Sequence, residues 1–386
     1  MKTPWISALL APLFCMPALA GAAEPVRIGF VTTLSTPAGY LGEDSRDGFA
    51  LAVKEGDGRL GGVPVQLLVE DDALQPARAK QITDRMLIDG VKVFTGGLFS
   101  NVVAAVAPSV AKDALYVSGN SGPSIFAGAR CMPNYFATAT QNNTSHEVAG
   151  RVANELGYKR MVILAANYQG GRDALEGFKS SFAGEVTEIY TKLNQLDYSV
   201  ELARIRSLSP DAVYQFHTGG SGINFVRQYG SAGLTQQIPM VLTAYGMDER
   251  MLDAVGPLAI GSRVISMWSS ALDVPASRTF VERFQAEYGR APTLYAAQAY
   301  DTAHIIGSAL AATGGRVDDL PALRQAMREP SFESVRGNFA FGNNQHPVQD
   351  WHLIEIIDDG QGKPVPRLLR VAAAGAGDAF AQDCKL

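Results

Sequence analysis

Residues 91–126, VKVFTGGLFSNVVAAVAPSVAKDALYVSGNSGPSIF, constrain the fold more than any other stretch, because they hold one unit twice: an apolar strand, a Gly/Ser/Asn turn and a segment able to start a helix. The first strand is read at 91–95, its turn at 96–101 and an Ala/Val helix at 102–112. The next strand is 114–118, with a turn opening at 119–123. In a parallel sheet both turns fall at the carboxyl edge, where open α/β sheets bind ligands. Ser100, Asn101, Asn120 and Ser121 put hydroxyl and amide groups there, and the glycines, Gly122 among them, let backbone approach closely. Unpaired N–H groups and the positive end of a helix dipole make such turns suited to a small anion. The plainer alternative is that these side chains only cap helices. Two successive loops of this make-up favour a site without naming its ligand.

Upstream, 26–34 reads as a buried strand, 40–55 as an amphipathic helix, 63–69 as a strand and 76–89 as a helix begun by proline. The order β-α-β-α-β-α-β implies a parallel sheet with right-handed crossovers. After a strand at 134–138 the pattern recurs. Helices are expected at 145–156, from the loop 167–171 through 182, at 199–207 and at 223–231; strands at 161–165, 186–190, 212–216 and 239–243. A strand at 264–267, helices at 277–288, 294–312 and 320–328, and β-rich segments at 338–341, 351–357 and 368–371 complete the chain. No Pro/Ser-rich linker separates the halves, which fits two lobes joined by short hinge strands, with a ligand cleft between them.

The N-terminus has Lys2, an apolar run at 5–16 and small residues at Ala18 and Ala20, the marks of a secretory signal peptide at 1–23. The mature chain is therefore expected in the periplasm, without a membrane span. Cys131 and Cys384 are the two cysteines beyond the leader; in an oxidising compartment they are candidates for a disulfide that ties the tail to the body, two buried free thiols being the alternative. The five histidines are scattered and no CxxC occurs, so neither a metal nor a cofactor is expected. A formal net charge of −5 without a basic stripe argues against nucleic acid. No Gly-x-Ser-x-Gly elbow is present, and Asp71 and Asp72, adjacent on a strand, face opposite sides and are read as a solvated strand end, so no enzyme is expected.

Short motifs in a fixed order then identify a resemblance. Ile28-Gly29-Phe30, Asp47-Gly48-Phe49, Gly61-Gly62, Val69-Glu70-Asp71-Asp72, Thr95-Gly96-Gly97, Pro210-Asp211-Ala212-Val213, Tyr300-Asp301-Thr302-Ala303 and Arg336-Gly337-Asn338-Phe339 together resemble the leucine/isoleucine/valine-binding family of type I periplasmic binding proteins, the receptors of ABC importers. The resemblance implies an α/β clamp of two Rossmann-like lobes with parallel central sheets joined by hinge strands. It places residues 24–139 plus 266–342 in an N-terminal lobe and 140–265 plus 343–386 in a C-terminal one. It also implies a monomer that closes on a small ligand and docks on permease subunits. A sensor using the same clamp is the alternative.

By the same resemblance the binding loops are Ser35, Phe99, Ser100, Asn101, Asn120, Ser121 and Gly122 in the first lobe. Tyr168, His217, Gly219, Thr243 and Tyr245 supply the second. Amino-acid-binding relatives present an acid to the ligand's ammonium from the second lobe, and here 242–246 reads LTAYG with no acid before Asp248. A buried ammonium without a partner is costly. The lining of Phe99, Tyr168, His217 and Tyr245, with Trp268 as a further candidate, resembles instead the branch that binds aromatic carboxylates. The carboxylate is expected on Ser100, Asn120 and Ser121, the ring against Tyr168 and Phe99, and ring hydroxyls near His217 or Tyr245. A branched-chain amino acid held by carbonyls or by Asp248 stays open.

Overall fold

Two sheets organise the chain, and the computed structural model describes residues 24–386; the expected signal peptide lies outside them. The first series comprises β1 (Val26–Thr32), α1 (Gly39–Glu55), β2 (Arg59–Leu60), β3 (Val63–Asp71), α2 (Pro76–Ile88), β4 (Val93–Gly96), α3 (Ser100–Asp113), β5 (Leu115–Ser118) and β6 (Tyr135–Ala137). The second comprises α4 (Asn142–Glu155), β7 (Arg160–Ala166), α5 (Gln169–Ser181), β8 (Glu185–Thr191), α6 (Ser199–Leu208), β9 (Ala212–Phe216), α7 (Gly219–Ser231), β10 (Met240–Thr243), α8 (Glu249–Val255) and β11 (Arg263–Ser266). Helices α9 (Pro275–Tyr288), α10 (Leu294–Thr313) and α11 (Leu320–Arg328) follow, then β12 (Phe339–Phe341), β13 (Pro347–Asp358) and β14 (Pro364–Ala376).

The first sheet has the order β2-β3-β1-β4-β5-β6, parallel except for β2. The second runs β12-β13-β11-β10-β9-β7-β8, with β14 beside β13. Its β8, β7, β9, β10 and β11 are parallel, and the last three strands are antiparallel additions. Helices cover both faces, so central strands such as β4, β5, β9 and β10 are buried throughout and read as mostly apolar runs. Helix α10 packs along α1 of the first series.

Three differences from the sequence reading have local causes. Helices α3, α4 and α7 start at Ser100, Asn142 and Gly219, two to four residues earlier than expected, because their polar and glycine-rich first turns look like loop. Strand β12, expected within the first lobe, hydrogen-bonds to β13 in the second sheet. Asp72 is buried, not solvated: it accepts from Thr33 Oγ1 at 2.6 Å and from the Leu74 N–H at 2.7 Å. It anchors the loop that follows β1.

The chain passes between lobes after β6, after β11 and before β12. Arg336 sits at the last of these passages. Its Nε donates to Asp301 Oδ2 on α10 at 2.7 Å, and its Nη1 donates to Thr138 O on the first passage at 2.8 Å and to Gln349 Oε1 on β13 at 2.9 Å. Gln349 Nε2 donates in turn to Ala139 O at 2.8 Å. Asp301 also accepts from Ser334 Oγ and the Val335 N–H. The tail is fixed by a disulfide between Cys131 and Cys384, 253 residues apart, with Cα atoms 5.7 Å from each other. Among the described residues no helix is long and apolar enough to cross a membrane.

Removing one member of a buried ion pair strands the other charge, at a cost of about 3–5 kcal/mol. Arg336→Met is expected to lower the unfolding free energy by that order in urea titration. Adding Asp301→Asn is expected to recover part of the loss, since the uncompensated carboxylate is then gone.

Candidate functional site

In the first sheet Gly96 pairs with Ser118, and Ser118 with Ala137, so the loops leaving β4, β5 and β6 emerge side by side. In the second, Ala165 pairs with Phe216 and Gln215 with Leu242, which gathers the loops after β7, β9 and β10 in the same way. The two loop sets face each other across a cleft of about 430 Å³ of atom-free space. Gly97 makes the first turn feasible: its φ is +73°, and a Cβ there would meet Ser118 Oγ at 2.8 Å and Tyr116 Oη at 2.9 Å.

The lobes are closed on one another. Asn142 Nδ2 donates to Ser100 Oγ at 3.0 Å and to Asp173 Oδ2 at 2.8 Å, and Ser124 Oγ donates to Asp173 Oδ1 at 2.6 Å. The Gly220 N–H reaches Pro37 O at 3.2 Å. Gly170 comes so near that a Cβ on it would lie 2.9 Å from Ser100 Oγ. At the far rim, Tyr40 Oη donates to Asp248 Oδ2 at 3.0 Å, while Arg250 reaches buried Asp44 at 3.2 Å and lies 4.7 Å from the centre of the Tyr40 ring.

Among the described residues no Asp, Glu, Lys or Arg lines the cleft. What its polar groups offer follows from what they already bond. Ser100 Oγ accepts from Asn142, so its own O–H is free to donate inward. Tyr245 Oη accepts from Gln298 Nε2 at 3.0 Å and likewise keeps its proton. Burial pushes the phenols of Tyr168 and Tyr245 well above their usual range, so both remain donors. Helix α3 begins at the cleft with Phe99 as N-cap and no side-chain cap, and α5 begins in the same way behind Tyr168. Their first N–H groups and dipoles point a positive field into the cavity. By contrast α4 and α8 are capped by Gln141 and Asp248. The walls are aromatic: Phe99 meets Tyr168 edge-on at 6.2 Å, and Tyr245 meets Tyr295 at 6.1 Å.

Six of the twelve expected positions line this cleft: Phe99, Ser100, Asn120, Ser121, Tyr168 and Tyr245. Their expected bonding needs correction at two of them. Ser121 Oγ donates to Leu98 O at 2.8 Å, and Asn120 Nδ2 donates to the same carbonyl at 2.7 Å, so Ser100 is the freer donor. The other six lie elsewhere. Ser35 is exposed on the rim. Asn101 is half-buried on α3, off the cleft, and Thr243 is buried with its hydroxyl sealed. The N–H of Gly122 donates to Asn142 Oδ1 at 3.0 Å, and its carbonyl accepts from the Asn142 N–H at 2.8 Å, so the residue holds the first passage between lobes. Gly219 starts α7 against Ala38. His217 lines a smaller adjoining cavity with Phe99, Tyr168, Phe216 and Thr218, and both its nitrogens are engaged: Nε2 meets Thr191 Oγ1 at 2.9 Å, Nδ1 meets Gln215 Oε1 at 3.1 Å, and its ring stacks on Phe225. Trp268 is core, donating from Nε1 to Ser277 Oγ at 2.9 Å.

Thr218, within the expected binding loop 217–220, also lines the cleft, whereas sequence reasoning missed Thr140, Asn142, His146, Phe216 and Tyr295. The one signal for Asn142 and His146 is their four-residue spacing, which sets them on one face of α4. Asp248, held open as a partner for an ammonium, is committed: its Oδ1 accepts the Arg250 and Met251 N–H groups, and its Oδ2 accepts from Tyr40.

A family profile described as a periplasmic binding protein matches residues 25–361. Among curated proteins the chain is 26% identical over 363 residues to Leu/Ile/Val-binding protein homolog 6 of Brucella melitensis, across 90% of this chain and 92% of that protein. It is 21% identical to a leucine-, isoleucine-, valine-, threonine- and alanine-binding protein of Pseudomonas aeruginosa, across 89% and 96%. Among solved structures, an ABC-transporter solute-binding protein of R. palustris in complex with benzoate superimposes with a TM-score of 0.88 at 30% identity, covering 94% of this chain and all of that one. A solute-binding protein of Rhodopseudomonas palustris BisB5 in complex with 3,4-dihydroxybenzoic acid gives 0.86 at 25% identity, covering 92% and 99%.

Burial, reinforced by the Asp44 charge, pushes the Asp248 carboxyl up to about 7 against the hydrogen bonds it accepts. A carboxyl raised on folding contributes stability that is fully present below its unfolded value, near 4, and is lost as pH rises through about 7. Asp248→Asn stays neutral throughout. Its stability relative to the parent is expected to improve between pH 5 and pH 8, by an amount on the order of 3 kcal/mol at most. Denaturant titrations at the two pH values measure this.

Proposed function

This chain belongs to the periplasmic binding protein family, as a solute-binding protein of the ABC-transporter class, and we propose that its ligand is a small aromatic carboxylate of the benzoate, hydroxybenzoate or cinnamate type. The observation that carries this reading is the lining of the cleft: hydrogen-bond donors, two uncapped helix starts and aromatic walls, with no ionised side chain. A carboxylate there takes the Ser100 O–H and the first N–H groups of α3, and each such charge-assisted bond contributes about 1.5–3 kcal/mol. The ring lies against Phe99 and Tyr168, with Tyr245 and Tyr295 on its other side. The R. palustris structures bound to benzoate and 3,4-dihydroxybenzoic acid support the same class.

Ligand contacts Ser100 on one lobe and Tyr168 and Tyr245 on the other, so it binds the closed clamp better than the open one. That difference in affinity is what shifts the population toward closure. The closed receptor, a monomer in the periplasm, then presents its lobes to permease subunits in the inner membrane; no enzymatic step is involved.

A second reading, a branched-chain amino acid, is favoured by the curated relatives. It requires the ammonium to be held by neutral oxygens and aromatic rings, with no carboxylate. A cation–π contact contributes about 0.5–2 kcal/mol, which is small against the cost of burying an ammonium without an anionic partner.

Calorimetric titration of ligand-stripped protein lacking residues 1–23 decides between them. Benzoate- and cinnamate-type acids are expected to bind, and leucine, isoleucine and valine are not. Ser100→Ala is expected to weaken aromatic-acid binding about tenfold or more, since 1.4 kcal/mol is a factor of ten. Binding of the amino acids alone contradicts the proposal.

A further inference from the structure

His146 occupies a position in the cleft that its partner makes chemically definite. Its side chain lies on α4 one turn beyond Asn142, the residue bonded to Ser100. That step is roughly 6 Å along the helix, comparable with the span across one benzene ring from its carboxyl carbon to a substituent on the opposite side. The imidazole packs edge-on to Phe216 at 4.8 Å and lines the same cavity.

Nδ1 of His146 is hydrogen-bonded to Tyr214 Oη, and Tyr214 is wholly buried on β9 beneath Phe178. The phenol has no other hydrogen-bond partner among the described residues. A buried O–H left without an acceptor costs about 1–3 kcal/mol, so the Tyr214 proton goes to Nδ1 and Nδ1 is the acceptor. A neutral imidazole with an unprotonated Nδ1 carries its hydrogen on Nε2. Burial keeps His146 neutral by pulling its pKa down to about 3. Nε2 has no partner among the described residues, yet it is not sealed as His346 Nε2 and both nitrogens of His352 are. Its N–H therefore opens on the cavity.

We infer that His146 is a specificity-determining residue: oriented by Tyr214, it donates from Nε2 to an oxygen on the ligand ring opposite the carboxylate, which selects an oxygen-bearing aromatic acid over the unsubstituted one. The inference rests on the aromatic-acid reading and deepens it. An unsubstituted ring leaves this N–H facing carbon, whereas a phenolic oxygen accepts it. Sites built to hydrogen-bond a hydroxyl discriminate against ligands that lack it much more strongly than sites that merely fit a shape. Tyr214 touches no ligand and is a positioning residue.

The test compares benzoate with 4-hydroxybenzoate by calorimetry and reads the tautomer by nitrogen-15 NMR. The wild-type protein is expected to bind 4-hydroxybenzoate about tenfold or more tighter than benzoate. In the His146→Phe/Tyr214→Phe double variant, which leaves no unpaired phenol behind, the ratio is expected to fall to about one. Tyr214→Phe alone is expected to reduce the ratio and to turn the single Nε2–H pattern of His146 into a mixture of tautomers. The nitrogen spectrum of the unmutated protein needs no variant to fold, and an Nδ1–H pattern there overturns the inference. A ratio unchanged in the double variant, or benzoate bound as tightly as 4-hydroxybenzoate by the wild type, overturns it while leaving the aromatic-acid reading intact. Failure of both acids to bind removes the reading and the inference together.

Discussion

One guanidinium holds the two halves of this protein in register. Arg336 is only 2% exposed, and it joins the Asp301 carboxylate on α10 of the first lobe, the Thr138 carbonyl on the passage out of that lobe, and Gln349 on β13 of the second. Buried ion pairs add little net stability by themselves. This one does something else: each of its partners belongs to a different stretch of chain at the hinge. The lobes can turn about that point, but the strands that join them stay gathered. The disulfide complements it by holding the C-terminal tail to the loop at Cys131.

With the hinge fixed, the loops after six parallel strands have one place to meet. The contacts that close the lobes and the groups that face the cavity are partly the same. Ser100 accepts from Asn142 across the cleft, Asn142 also bonds Asp173, and Asp173 accepts from Ser124 back on the first lobe. Closure therefore uses a lone pair of Ser100 and leaves its proton, and the lack of a side-chain cap leaves the first N–H groups of α3 unused. The result is a cavity with donors to spare and no carboxylate. Such a cavity lowers the energy of an anion and offers an ammonium only neutral oxygens and the faces of rings.

Much of this was legible in the sequence. Mostly apolar runs, read at 91–95 and 114–118, marked central parallel strands, and the glycine turns after them marked the ligand edge. Those two loops supplied Phe99, Ser100, Asn120 and Ser121. The failures came from parity and from helix faces. In β9, side chains alternate between the two faces of the strand: Tyr214 and Phe216 meet His146, while Gln215 and His217 turn to the opposite side. His217 ends a strand at the right edge but is one residue out of phase, and nothing in the local pattern reveals which phase is buried against α4. Asn142 was missed because QNNT at the start of α4 reads as loop until the Gln141 side chain is seen to cap it, and His146 because its place in the expected helix 145–156 does not tell which way it faces. Asp248 could be judged only from its partners, which are set by α8 and by Tyr40 some two hundred residues away.

The central claim is that the cavity accepts an anion and rejects a cation beside it. Phenylalanine and 3-phenylpropanoate share a ring, a chain and a carboxylate and differ only in the ammonium, so their dissociation constants measured on the ligand-stripped protein isolate that one group. The account predicts that 3-phenylpropanoate binds at least about a hundredfold tighter, equivalent to roughly 2.7 kcal/mol. Equal affinities, or tighter binding of phenylalanine, would contradict it and would mean that the second lobe brings a carboxylate to the ligand after all.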